Sequence, residues 1–110
     1  MTIKEYQQLA ARTIRKGAKS REMRMHALHG MVGEIGEIHS IFQKAYQGHP
    51  VNLIHLSREV GDLAWFMAEL CTAYGWDMDY IFSQNIEKLK ARYPDGFDAE
   101  KSMHRQEGDL

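Results

Sequence analysis

The sequence predicts an all-α fold, a four-helix antiparallel bundle protomer that oligomerises. Three observations carry that expectation. Apolar residues recur three and four positions apart along most of the chain, the period of a helix buried on one side. No stretch alternates apolar and polar residues in the manner of a half-buried strand. Only two prolines, Pro50 and Pro94, punctuate 110 residues, and both fall where a helix would stop.

The first helix is expected from about Ile3 to Lys16. Thr2 and Glu5 have capping-box spacing, Ile3, Tyr6, Leu9, Ala10 and Ile14 repeat at helical period, and Gly17 ends it. The second runs from about Glu22 to Gln47, with Leu28, Met31, Ile35, Ile38, Phe42 and Ala45 as one apolar stripe, and Gly48-His49-Pro50 breaks it. The third runs from about Asn52 to Tyr74, with Leu53, Leu56, Val60, Leu63, Met67 and Leu70 as its stripe. Gly75 stands where a left-handed C-terminal residue belongs. The fourth runs from about Asp79 to Arg92, capped by Asp77 or Asp79, with Ile81, Phe82, Ile86 and Leu89 on its buried side. Tyr93-Pro94-Asp95-Gly96-Phe97 closes it with a turn. Residues 1–97 thus read as one helical domain. The polar tail, 98–110, is expected to be mobile or to wrap onto a neighbouring subunit. A chain this short buries only about two-thirds of its surface by itself, and the wide apolar face of the third helix points to a homodimer or homotetramer.

Composition narrows the function. Lys and Arg number 14 against 15 Asp and Glu, which leaves no basic excess to hold a nucleic-acid polymer or an anionic membrane. The one cysteine, Cys71, excludes an intrachain disulfide and suits a reducing, cytoplasmic location. No apolar run approaches the ~20 residues of a membrane span.

The sharpest feature is an internal echo. Glu34-Ile35-Gly36-Glu37-Ile38 returns 25 residues later as Glu59-Val60-Gly61-Asp62-Leu63, and the flanking apolar positions match at the same offset. With Leu28 or Leu53 at zero and 100° per residue, Glu34 and Glu59 both fall at about 240°, and Glu37 and Asp62 at about 180°. Ile41 and Phe66 lie between them at about 220°. Both acid pairs therefore border the apolar stripe, and antiparallel packing about a pseudo-twofold axis can bring four carboxylates together. Such a cluster calls for protons or a divalent cation, and hard oxygen ligands select Mg²⁺ or Mn²⁺ over zinc. Gly36 and Gly61 sit between the acids, where close helix approach would justify a residue that costs a helix about 1 kcal/mol. A single acid pair at this spacing is ordinarily a solvated face; the echo is what raises it above that. A di-iron site would need Glu-x-x-His, which no glutamate here supplies, and the His26/His29 pair would want a carboxylate or thiol close by to hold zinc. On the fourth helix Asn85, Lys88 and Arg92 share one stripe, as cations opposite a carboxylate-held metal would to bind a polyphosphate. Lys44 is a further phosphate candidate. Trp65 points away from the stripe and either stacks on a base or fills an intersubunit contact.

These residues resemble the all-α nucleoside-triphosphate pyrophosphohydrolases, and the small MazG-like proteins among them. Glu34-x-x-Glu37 followed by Glu59-x-x-Asp62 is similar to their acid signature. Tyr6-Gln7 with Ala10-Ala11-Arg12-Thr13, Gly33-Glu34-Ile35-Gly36-Glu37, and Asn85 through Phe97 resemble their opening, core and closing segments. The resemblance implies Mg²⁺ held by Glu34, Glu37, Glu59 and Asp62 and active sites completed near subunit interfaces. It also implies attack of water at the α-phosphorus of a (d)NTP or modified nucleotide, giving a monophosphate and pyrophosphate. Glu37 or Glu34 would orient the water, and Asn85, Lys88, Arg92, Lys44 and Trp65 would bind the nucleotide. Two alternatives stay open: a non-catalytic nucleotide-binding helical assembly, and an enzyme like the phosphoribosyl-ATP pyrophosphohydrolases.

Overall fold

The computed structural model describes residues 1–105 and Gly108. Its helices are α1 (Ile3–Ala11), α2 (Ser20–Tyr46), α3 (Leu53–Tyr74), α4 (Met78–Arg92) and α5 (Ala99–Met103), with no strand among the described residues. The all-α expectation holds. Met1–Met78 forms one compact unit and the chain from Asp79 onward another.

In the first unit α2 runs antiparallel along α3, and α1 lies on α3. Ser20 Oγ donates to the Ala73 carbonyl at 2.6 Å, which latches the start of α2 to the end of α3. Thr2 caps α1, its hydroxyl accepting the Glu5 amide at 3.1 Å. The helix then stops at Ala11, well before Lys16. The Ala10 carbonyl accepts the Thr13 hydroxyl (2.9 Å) and the Trp65 indole N–H (3.2 Å), while the amides of Arg12, Thr13 and Ile14 tighten to three-residue turns. Gly75, at φ 71°, ends α3 in the left-handed conformation that its position predicts. The expected aspartate cap of α4 is replaced by a side chain from α1. Gln7 Oε1 accepts the Met78 amide at 2.8 Å, while its Nε2 donates to the Trp76 carbonyl (2.9 Å) and to Thr72 (3.3 Å). Asp79 instead accepts the amide of its own neighbour Tyr80.

Among the described residues the buried apolar set is small: Ala10, Ala27, Ile41, Ala68, Cys71, Ala73 and Met78. The stripes expected to form the core are covered only in part: Met31, Ile38, Leu56, Leu63 and Leu70 are half-buried, and the positions between them are exposed. On α2, Leu28, Ile35 and Phe42 are 47%, 57% and 50% exposed, and on α3 Leu53 and Val60 are 70% and 53% exposed. The reason is the line along which α2 and α3 meet. It follows the acid-bearing border of each stripe, through buried Ile41 and half-buried Phe66, and leaves the far side of each stripe uncovered.

In the second unit the rings of Tyr93 and Phe97 approach to 5.4 Å across the turn that follows α4, with Gly96 at φ 94°. Ile81 and Phe82 are half-buried, but Ile86 and Leu89, expected on the same buried side, are exposed. The tail is not wholly irregular. Asp98 Oδ1 accepts the amides of Glu100 and Lys101 and starts α5. Residues 106, 107, 109 and 110 of the expected tail lie outside the described residues. No helix among the described residues is long and apolar enough to cross a membrane.

Candidate metal centre

Glu59 and Asp62, three residues apart on α3, share a face and meet Glu34 of α2 across the helix seam. One carboxylate oxygen from each lies within 4.8 Å of the other two. Two charges at about 5 Å repel by roughly 3 kcal/mol at an effective dielectric near 20, so the group does not stay fully ionised without compensation.

The protons adjust accordingly. The Glu34 carboxyl is pushed up to about 7, first by its contact with Glu59, then by burial, then by the charges of Glu59, Asp62 and Glu37. Glu59 moves the other way. The hydrogen bond from Glu34 holds it low against its own desolvation, helped by His55, whose Nε2 lies 2.9 Å from Glu59 Oε1. The pair thus keeps one proton between two carboxyls. Beside them, the Tyr6 phenol of α1 is raised by burial and then by the charge of Asp62.

A cation fits this arrangement. Glu34 Oε2 is buried without a hydrogen-bond partner, an acceptor that folding has desolvated and left uncompensated. The donors are all carboxylate oxygens, which suit a hard divalent ion. Glu37 lies outside the group of three. It is exposed, and reaches the centre only through its charge on Glu34. The structure therefore brings together three of the four acids marked by the echo.

The sequence profile of the MazG nucleotide pyrophosphohydrolase domain matches residues 23–97. The chain belongs to the MazG family. No individual curated protein and no solved structure matches it. The MazG match takes in α2 from Met23, α3 and α4 and ends at Phe97, where the closing turn ends; α1 precedes it.

Other expected site residues of this MazG domain lie further off or in the second unit. Lys44 is exposed in the last turn of α2. Ten residues from Glu34, it stands about 15 Å along the helix. Asn85, Lys88 and Arg92 follow one another along α4, with the Arg92 guanidinium 5.9 Å from the Tyr93 ring centre. Trp65 is engaged within its own protomer. Its indole N–H donates to Ala10 O and to Thr13 Oγ1 (2.8 Å), and its ring meets Phe66 edge-on at 5.2 Å.

Two residues that the sequence did not single out, Gly30 and Glu69, complete the seam. Gly36 and Gly61 have open space where a Cβ would stand, so they mark no close approach within the protomer. The close approach is at Gly30, where a Cβ would overlap the Phe66 ring. Beyond it His26 Nδ1 pairs with buried Glu69 at 2.8 Å. Helical spacing carried a signal for both. Gly30 is one turn before Glu34, and Glu69 is two turns after Asp62, each on the acid-bearing face.

Proposed function

We propose that this MazG domain is a Mg²⁺-dependent nucleoside-triphosphate pyrophosphohydrolase, with Mn²⁺ able to substitute. Its products are a nucleoside monophosphate and pyrophosphate. The observation that carries the reading is the convergence of Glu34, Glu59 and Asp62 on one point, with a buried Glu34 oxygen left unpartnered. These three residues would hold the metal. When bound, it polarises phosphoryl oxygens and stabilises the leaving pyrophosphate. Glu37, close enough to act on Glu34 yet outside the ligand group, orients the attacking water and takes its proton. As the sequence suggests, Lys88 and Arg92 would neutralise the triphosphate and Asn85 would hydrogen-bond to it, with Lys44 a further phosphate contact. The test is product identity. Incubation with NTPs and dNTPs plus Mg²⁺, followed by chromatography, should give monophosphate and pyrophosphate in equal amounts, and EDTA should stop the reaction. Diphosphate with inorganic phosphate would rule out α–β cleavage. Intact nucleotide, together with a metal-dependent rise in melting temperature, would favour the non-catalytic binding module.

The same reading includes self-association. The exposed positions of the α2 and α3 stripes, Leu28, Ile35, Phe42, Leu53 and Val60, lie on faces related by the internal echo, so a second copy offers the matching apolar surface. Light scattering should return the mass of a dimer or tetramer for the native chain and of a monomer for Val60→Glu. A native chain that stays monomeric at high concentration would remove this part of the reading.

A further inference from the structure

Glu34 and Glu59 occupy matching places on α2 and α3, 25 residues apart, yet they meet different surroundings. At the same offset, one turn before each, stand Gly30 and His55, and there the likeness ends. That is the position from which a side chain can reach a glutamate along its own helix. Gly30 offers no side chain, and the Phe66 ring fills the space that a Cβ would take. Glu34 therefore receives no donor from one turn back, and its Oε2 is buried without a hydrogen-bond partner. On α3 the place is taken by an imidazole. His55 Nε2 lies 2.9 Å from Glu59 Oε1. A carboxylate only accepts, so His55 carries its proton on Nε2 and donates it to Glu59.

The backbone under His55 is held as well. Asn52, the N-cap of α3, accepts the His55 amide on its side-chain oxygen at 3.0 Å, which fixes the first turn of the helix. The His55 side chain is 48% exposed and that of Glu59 13%. A pair with so exposed a member adds little to the stability of the fold. Its effect on the carboxylate is another matter. Glutamate has three side-chain torsions, and a donor on one oxygen limits how the group can turn. Partners of this kind, which touch a ligand rather than the ion, set metal affinity. We infer that His55 is a positioning residue of the metal centre: by donating to Glu59 Oε1 it holds that carboxylate ready as a ligand, whereas Glu34, with glycine in the equivalent place, is ordered by the cation itself. The inference rests on the metal-binding part of the reading above, in which Glu34, Glu59 and Asp62 hold the ion, and is independent of the substrate.

The experiment is calorimetric titration with Mg²⁺ alone and with Mn²⁺ alone, without nucleotide, on the native chain, His55→Ala and His55→Gln. Both replacements suit a helix, and melting temperatures in EDTA should stay within about 3 °C of the native value. His55→Ala should weaken the binding of both ions by about 10-fold. His55→Gln should recover most of that loss, because its amide can donate to Glu59 from the same position. Where (d)NTPs are turned over, the loss in His55→Ala should fall on the Mg²⁺ needed for half-maximal rate rather than on kcat at saturating metal. Unchanged metal affinity in His55→Ala overturns the inference. So does a loss that glutamine does not recover, or one confined to Mn²⁺, since either result would put the ring on the ion itself. A native chain that binds neither ion overturns it together with the metal centre. Metal binding that depends on His55, with every nucleotide left intact, sustains the positioning role and overturns the pyrophosphohydrolase reading.

Discussion

Replacing Glu34 with Gln is expected to stabilise the metal-free protein while cutting turnover by about 1,000-fold. Both effects come from one charge. Glu34 shares a seam with Glu59 and Asp62, and in the absence of a cation it keeps a proton up to about pH 7, against an ordinary value of 4.5. A glutamine amide imitates that protonated carboxyl at every pH. It donates to Glu59, and it removes the repulsion that returns when Glu34 ionises. The sign of the pH dependence follows. As pH rises from 4.5 toward 7, the unfolded chain gives up this proton before the folded chain does. The folded state therefore binds more protons in that window, and the stability of the metal-free fold falls as pH rises. Glu59, shifted below the ordinary carboxylate range, acts in the opposite sense and at lower pH, so it leaves the window alone. A divalent ion must displace the Glu34 proton, so the rise in melting temperature caused by Mg²⁺ should grow as pH passes 7. Melting curves across this window, in EDTA and in Mg²⁺, should show the slope and the metal effect in the native chain and neither in Glu34→Gln. Full turnover in that variant would remove Glu34 from the centre.

Gly30→Ala should lower the melting temperature by about 5–15 °C, although alanine is the better helix former by about 1 kcal/mol. The added methyl group would occupy the position of the Phe66 ring. That ring has little freedom to withdraw, because Trp65 meets it at 5.2 Å and 89°, and His26 at 5.5 Å and 60°. The overlap must be relieved by moving α2 away from α3, one turn from Glu34. Activity should therefore fall along with stability, and Phe66→Leu in the same chain should recover part of both. Gly36→Ala is the control, since open space surrounds that position in the protomer. In a monomeric background such as Val60→Glu it should stabilise by about the propensity difference. An equal loss at Gly30 and Gly36 would show that the penalty is not contact with Phe66.

Much of this was legible in the residues. Local chemistry placed the Thr2 cap and the Gly75 terminus, because each depends on neighbours within a few positions. The echo put Glu34, Glu59 and Asp62 on the borders along which the two helices meet, although the same angular match did not bring Glu37, the counterpart of Asp62, into the group. The direction of burial was not legible. Periodicity marks an apolar stripe but does not say whether the chain itself or another molecule covers it; Leu53 and Val60 sit on the stripe and are exposed. The angular map did hold the answer, for Ile41 and Phe66 are the apolar residues lying between the acids, and the seam follows them. Gly36 and Gly61 drew attention because they are part of the echo, whereas Gly30, outside it, makes the close contact. The Gln7 cap of α4 and the His26–Glu69 pair join residues 71 and 43 positions apart, beyond the reach of any local rule.

The alanine-rich interior has a calorimetric consequence. Four of the seven buried apolar residues are alanine, and no large side chain among the described residues is fully enclosed. Heat capacity change and denaturant sensitivity both scale with the area that unfolding hands to water. On both scales the isolated chain behaves as a much smaller protein would, and the remainder of its apolar area registers only when something covers the outer stripes.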